Sequence, residues 1–183
     1  MHVSRHAKDK AAAKGFLERT FPNLKAWHEY PYRERDPEGE GLVYVRHPWE
    51  SGMDNSPMWD SIMERLQLRP EQIPKYKRAD MHFVVAGDRP LDAAYDRFAY
   101  LVKFFADRDY DEARIREECP FLVQDVLFNA LLCQADKDLA QIAHVLGENP
   151  SPFDERAQRA RPPFFRGSRS VTQLLAHLRS FLI

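Results

Sequence analysis

The sequence predicts an all-α fold built from helix pairs, and three observations lead there. Apolar residues return at helical spacing in several long segments. No series of alternating strands is present, and no period repeats along the 183 residues. The composition agrees, because 12% aromatic residues with 13 prolines and only 7 glycines suits aromatic-rich helices joined by shaped loops.

The elements follow in order. "AKDKAAAKGFLERTFPNLKAWHEYPYRE" is alanine-rich, with Phe16, Leu17, Phe21, Leu24 and Trp27 on one expected face, and Pro22 is expected to break it into two helices. A polar loop, "RERDPEGEG", leads to the short apolar run "LVYVRHP", a strand or extended segment. A helix is expected from about Pro57, with Asn55 or Ser56 as its N-cap. After an irregular connection, "PLDAAYDRFAYLVKFFADRDY" reads as a helix with Ala94, Phe98, Leu101, Val102 and Phe105 on one stripe. "FLVQDVLFNALLCQADKDLAQIAHVLG" holds two helical patterns, ended by Gly147 as a C-terminal cap. Gln124, Asp125 and Asn129 are placed on one helix here, as a buried polar network. A last helix opens with Ser151 as cap and Pro152 at its first position. Residues 162–183 are out of character, with a double proline and an apolar stripe lacking an evident partner. Residues 1–161 are therefore taken as one domain and the remainder as an atypical, truncated or frame-shifted tail. A C-terminal helix docking on the body is the equal alternative.

The totals exclude some classes. A formal net charge of -1, from 27 basic and 28 acidic residues, supplies no electrostatic reason for a nucleic-acid or anionic-membrane partner. No run of eighteen apolar residues exists, and "MHVSRHAKDK" lacks the apolar stretch of a signal peptide, so a cytoplasmic protein is expected. Cys119 and Cys133 read as reduced thiols in apolar helical patterns. His28, His82 and His144 stand alone with no ligand spacing, so neither metal nor cofactor is expected.

One stretch carries chemistry: "HPWESGMDNSPMWD", residues 47–60. Asp54 follows Gly52 and Met53 in a turn, with Trp49 and Trp59 on either side. A carboxyl held against indole surface loses solvation and keeps its proton near neutral pH, which suits a general acid for glycosidic cleavage. Gly52 allows backbone geometry that would strain other residues. Glu50 and Asn55 can orient backbone or meet sugar hydroxyls, and His47 can line the pocket. Against this stands a plain N-cap, since Asp, Asn and Ser before a helix usually do no chemistry, and on residue types alone that explanation is favoured.

The consecutive run "WESGMDNSPMWD" changes the balance. It resembles the signature of the (α/α)6-barrel glycosidases, in particular glycoside hydrolase family 63 and the bacterial mannosylglycerate and glucosylglycerate hydrolases. Trehalases have a similar ESG-x-D arrangement. The likeness runs more loosely to about Arg161, through "GEGLVYVRHP", "RPLDAAYDRFAYLV" and "CPFLVQDVLFNALL". It implies part of an (α/α)6 toroid, an inverting mechanism and Asp54 as the general acid. Trp49 becomes a sugar-stacking platform, with a core tryptophan as the plain alternative. Arg89 and Tyr95 become a clamp for a glycerate carboxyl, with an Arg89 salt bridge to Asp88 or Asp92 and a packed Tyr95 as the equal alternative. The implied partner is a small sugar substrate, a glycosylglycerate if the clamp holds. The family's base is a glutamate in a late aromatic, Gly-containing loop, and Glu148, Asp154 and Glu155 do not match it. An incomplete barrel that hydrolyses little by itself is thus expected. A helical scaffold for a protein partner and a sugar-binding remnant are the competing readings.

Overall fold

The computed structural model describes residues 6–78 and 91–160. The chain divides into two compact units, one drawn from Met1–Val43 and Gln124–Ile183, the other from Tyr44–Val123. The tail expected from residue 162 lies outside the described residues, as do Arg89, Asp88 and His82.

In the first unit, α1 spans Lys10–Arg35. Asp9 caps it, its carboxylate accepting from the Ala12 N–H at 2.9 Å. The expected break at Pro22 does not occur, and both Pro22 and Pro31 lie within a continuous helix. A proline removes one ladder bond, but α1 is tied to a second long helix on both sides of Pro22. Leu17 and Phe21 pack before it, and Tyr32 hydrogen-bonds to Asp136 after it. The buried face is Ala13, Leu17, Phe21, His28 and Pro31, whereas Phe16, Leu24 and Trp27 are exposed.

That second helix, α2 here, runs unbroken from Val126 to Leu146 where two helices were expected. No glycine or proline interrupts it. Asp125 is its cap, accepting from the Phe128 N–H at 2.9 Å, and Gln124 precedes it, so only Asn129 of the three expected polar residues is on the helix. Gly147, at φ +76°, ends it as the sequence indicated. α3 covers Ser151–Arg159. Ser151 is its first helical residue rather than its cap, because Pro150 takes the flanking position and Asn149 Oδ1 accepts the Ser151 N–H.

The three helices share a core of Leu17, Phe21, Leu139, Ala140, Ile142, Ala143 and Phe153. Phe21 and Phe153 meet edge to face at 5.8 Å. Burying each such ring is worth about 1.5–3 kcal/mol. Asp136 lies fully buried beneath them. The Tyr32 hydroxyl donates to its Oδ2 at 2.6 Å, and Arg156 donates to its Oδ1 from Nε and Nη2 at 3.2 and 3.1 Å. Asn129 holds the loop end, accepting from the Val43 N–H and donating to the Val43 carbonyl.

In the second unit, the run expected as a strand or extended segment contains no α-helix and makes one antiparallel bridge, between Val45 and Val123, at 2.8 and 3.0 Å. A 3-10 turn at Pro57–Trp59, capped by Ser56, runs into the single helical turn α4, Asp60–Met63. α5 spans Asp92–Ala106 and buries Phe98, Leu101, Phe104 and Phe105, while Val102, expected on that face, is exposed. α6, Glu112–Glu118, is capped by Asp111 and has Cys119 as its C-cap, so Cys119 ends a helix rather than lying inside one. Among the described residues no helix is long and apolar enough to cross a membrane.

Candidate active site

The site grows from the backbone of residues 46–60. His47 is extended and nearly fully buried, and it precedes the 3-10 turn Pro48–Ser51. Its Nδ1 accepts from the Trp49 N–H at 3.0 Å, and its Nε2 lies 3.1 Å from the Phe98 carbonyl on α5. Ser51 Oγ donates to the Pro48 carbonyl at 2.6 Å and accepts from the Met53 N–H at 3.0 Å. Gly52 then turns the chain at φ +69°. A Cβ there would meet nothing within 4 Å, so the torsion and not crowding demands glycine.

The Met53 carbonyl is held twice, by the Ser56 N–H at 3.0 Å and by the Trp59 indole N–H at 2.8 Å. Trp59 itself is buried edge-on against Phe121, so it is a core anchor behind the turn. Asp54 follows directly and is half-buried. Among the described residues its carboxylate accepts no hydrogen bond, although it acts electrostatically on His47. Asn55 is exposed.

Trp49 exposes 45% of its surface. Its ring rests on His47 at 4.5 Å and against Phe98 and Tyr95 at 5.8 and 6.1 Å. An indole braced from behind and open in front has the form of a stacking platform. Glu50 engages Arg46 through the Arg46 N–H at 2.9 Å and its Nε at 3.5 Å. Arg46 also pairs with Glu112 at 3.1 Å and stacks over Phe105.

Burial holds the His47 imidazole below its ordinary pKa. The Phe98 bond, Glu50 and Asp54 pull the other way, and Arg46 adds to the lowering.

The structure places Trp49 and Glu50 in the 3-10 turn that Gly52 ends, Asp54 and Asn55 in the turn that follows it, and Tyr95 against Trp49. Arg89 falls outside the described residues. Two participants escaped the sequence reading. Arg78 lies over the Tyr95 ring at 4.0 Å and pairs with Asp92 at 2.8 Å. It sits in an irregular connection that carries no periodic signal. Glu112 was missed because α6 was, although Asp111 before an acidic first turn was a readable cap. Among the described residues no group of three metal-ligating side chains is present.

The model of the family described as the mannosylglycerate hydrolase MGH1-like glycoside hydrolase domain matches residues 1–165. The chain belongs to this family. It is 65% identical over 155 residues to a mannosylglycerate hydrolase of Rubrobacter radiotolerans, covering 85% of this chain and 35% of that protein. It is 36% identical over 140 residues to a glucosylglycerate hydrolase of Mycolicibacterium hassiacum, covering 76% and 31%. Among solved structures it resembles the family 63 mannosylglycerate hydrolase of Thermus thermophilus bound to Tris and D-glycerate. That match has a TM-score of 0.81 at 39% identity, over 86% of this chain and 38% of the other. The all-α fold is thus that of part of an (α/α)-barrel glycosidase. The chain spans about a third of the length of the curated relatives it matches.

Proposed function

We propose that this chain carries the acid-bearing side of a glycosidase active site for mannosylglycerate or glucosylglycerate. The observation that supports it most is the turn itself. Its backbone and flanking side chains are hydrogen-bonded to one another, whereas among the described residues the half-buried Asp54 carboxylate accepts no such bond, and the Trp49 indole five positions earlier stays open. In this reading the sugar stacks on Trp49 and Asp54 protonates the leaving glycosidic oxygen. A second carboxylate activates water on the opposite face, roughly 6.5–9.5 Å away, with inversion at the anomeric carbon. Asn55 meets sugar hydroxyls. Glu50, engaged by Arg46, acts by fixing the turn. Arg89 and Tyr95 hold the glycerate carboxylate, in keeping with a relative crystallised with D-glycerate.

The water-activating base is proposed to come from outside these 183 residues. Asp154 and Glu155 lie on α3, and Glu148 directly follows the Gly147 cap. A chain that binds the glycoside without turning it over is therefore a second reading, favoured by the share of its relatives' length that it spans.

Titrating the chain with mannosylglycerate, glucosylglycerate and a neutral methyl glucoside, read by Trp49 fluorescence, tests the substrate class. The glycosylglycerates should bind tightest. Arg89→Ala should weaken them by about tenfold while leaving the neutral glucoside unchanged. Equal losses for all three would remove glycerate from the proposal.

A further inference from the structure

We infer that His47 is the positioning residue of the acid turn, clamping the Trp49 backbone to the Phe98 carbonyl only while its ring is neutral. The inference rests on the reading of that turn as a sugar site.

The geometry fixes the tautomer from both sides. A carbonyl oxygen only accepts, so the nitrogen 3.1 Å from Phe98 O must carry hydrogen. A backbone N–H only donates, so Nδ1, 3.0 Å from the Trp49 nitrogen, must be bare. A second proton has nowhere to go but Nδ1. There it would face the Trp49 N–H, and that amide would lose its acceptor. Water cannot relieve the conflict, because the ring is 3% exposed. Trp49, Phe98 and Phe105 cover it at 4.5, 5.6 and 6.3 Å.

The charged groups around the ring are Glu50 and Asp54, which favour the proton, and Arg46, which opposes it. From α5 the ring meets only the uncharged Phe98 and Phe105. Protonation therefore breaks the clamp. The amide that loses its acceptor belongs to the platform residue, five positions before the acid. Acid loss of sugar binding would then follow this imidazole.

Three measurements on the chain test it. Nitrogen-15 spectra of the histidines should find His47 as the Nε2–H tautomer near neutral pH, taking its second proton only below the ordinary value of about 6.5. The fluorescence of Trp49 should change with that step, read in a Trp27→Phe background because Trp27 lies 5.0 Å from His28. Mannosylglycerate binding by the wild type should weaken about tenfold between about pH 7.5 and about pH 5. His47→Phe keeps a ring in place but neither bond. It should bind about tenfold more weakly at the higher pH and show no such limb. His47→Asn restores an acceptor for the Trp49 N–H and should recover part of the affinity without restoring the limb.

An Nδ1–H tautomer, a ring that charges at or above its ordinary value, or wild-type affinity and limb in His47→Phe would each overturn the inference. If the wild type binds no glycosylglycerate, the sugar reading fails by itself. The spectra and the Trp49 signal still decide the clamp.

Discussion

The indole N–H of Trp59 donates to the carbonyl of Met53 at 2.8 Å, one residue before Asp54. A buried core tryptophan thus holds the backbone just before Asp54. Trp59→Phe removes that bond and part of the packing on Phe121. It should cost roughly 1–3 kcal/mol in urea unfolding. The same variant should also weaken glycoside binding, since the turn loses an anchor. A variant as stable as wild type would mean the bond holds nothing.

Asp136 makes a second strong prediction. It is fully buried, with Tyr32 on one oxygen and Arg156 on the other. Asp136→Ala strands a guanidinium and a phenol between α1, α2 and α3, and breaking such a pair costs about 3–5 kcal/mol. Tyr32→Phe removes one neutral donor and should cost only about 1 kcal/mol. Equal effects of the two variants on the urea midpoint would contradict the arrangement.

Two glycines separate torsion from crowding. Gly41 sits at φ +80°, and a Cβ there would lie 2.8 Å from Arg159 Cβ and 2.9 Å from the Ala160 nitrogen. Gly52 needs only the torsion. Gly52→Ala should therefore cost roughly 1–2 kcal/mol, the left-handed penalty. Gly41→Ala should cost more, because backbone has to move as well. Thermal unfolding of the two variants checks the order, and a larger loss at Gly52 would refute it.

Stability should also fall with acid in a definite window. His28 and His47 are both held below the ordinary histidine pKa, first by burial. His28 gains some of it back from Asp136, and its Nδ1 has no hydrogen-bond partner among the described residues. The unfolded chain takes these protons near 6.5 and the folded chain only at lower pH. Their contribution is therefore complete above about 6.5 and is lost as pH falls below it. A urea midpoint that stays level from about pH 7 down to about pH 5 would contradict this.

Much of this was legible in the residues, and the misreadings have physical causes. The helical class and the Gly147 stop came from periodicity and capping chemistry, which are local. Pro22 misled because its local cost is real, while the contacts that override it, Phe21 before and Tyr32 after, come from residues more than a hundred positions away. Val102 and Phe104 exchanged places on α5 because both fit an apolar stripe, and only the packing decides which one turns inward. The local shape of the chain around Gly52 was readable as a string, since Gly52, Ser51 and Ser56 act on their immediate neighbours. The bond from His47 to the Phe98 carbonyl was not, because its partner lies 51 residues along the chain.

The most direct test replaces the acid while leaving the platform intact. Release of mannose or glucose from the glycosylglycerates should be compared between the protein carrying this chain and its Asp54→Asn variant, with Trp49 fluorescence following binding in both. The account predicts that turnover falls by about a hundredfold or more while binding persists. Turnover within a few-fold of wild type in Asp54→Asn would contradict it.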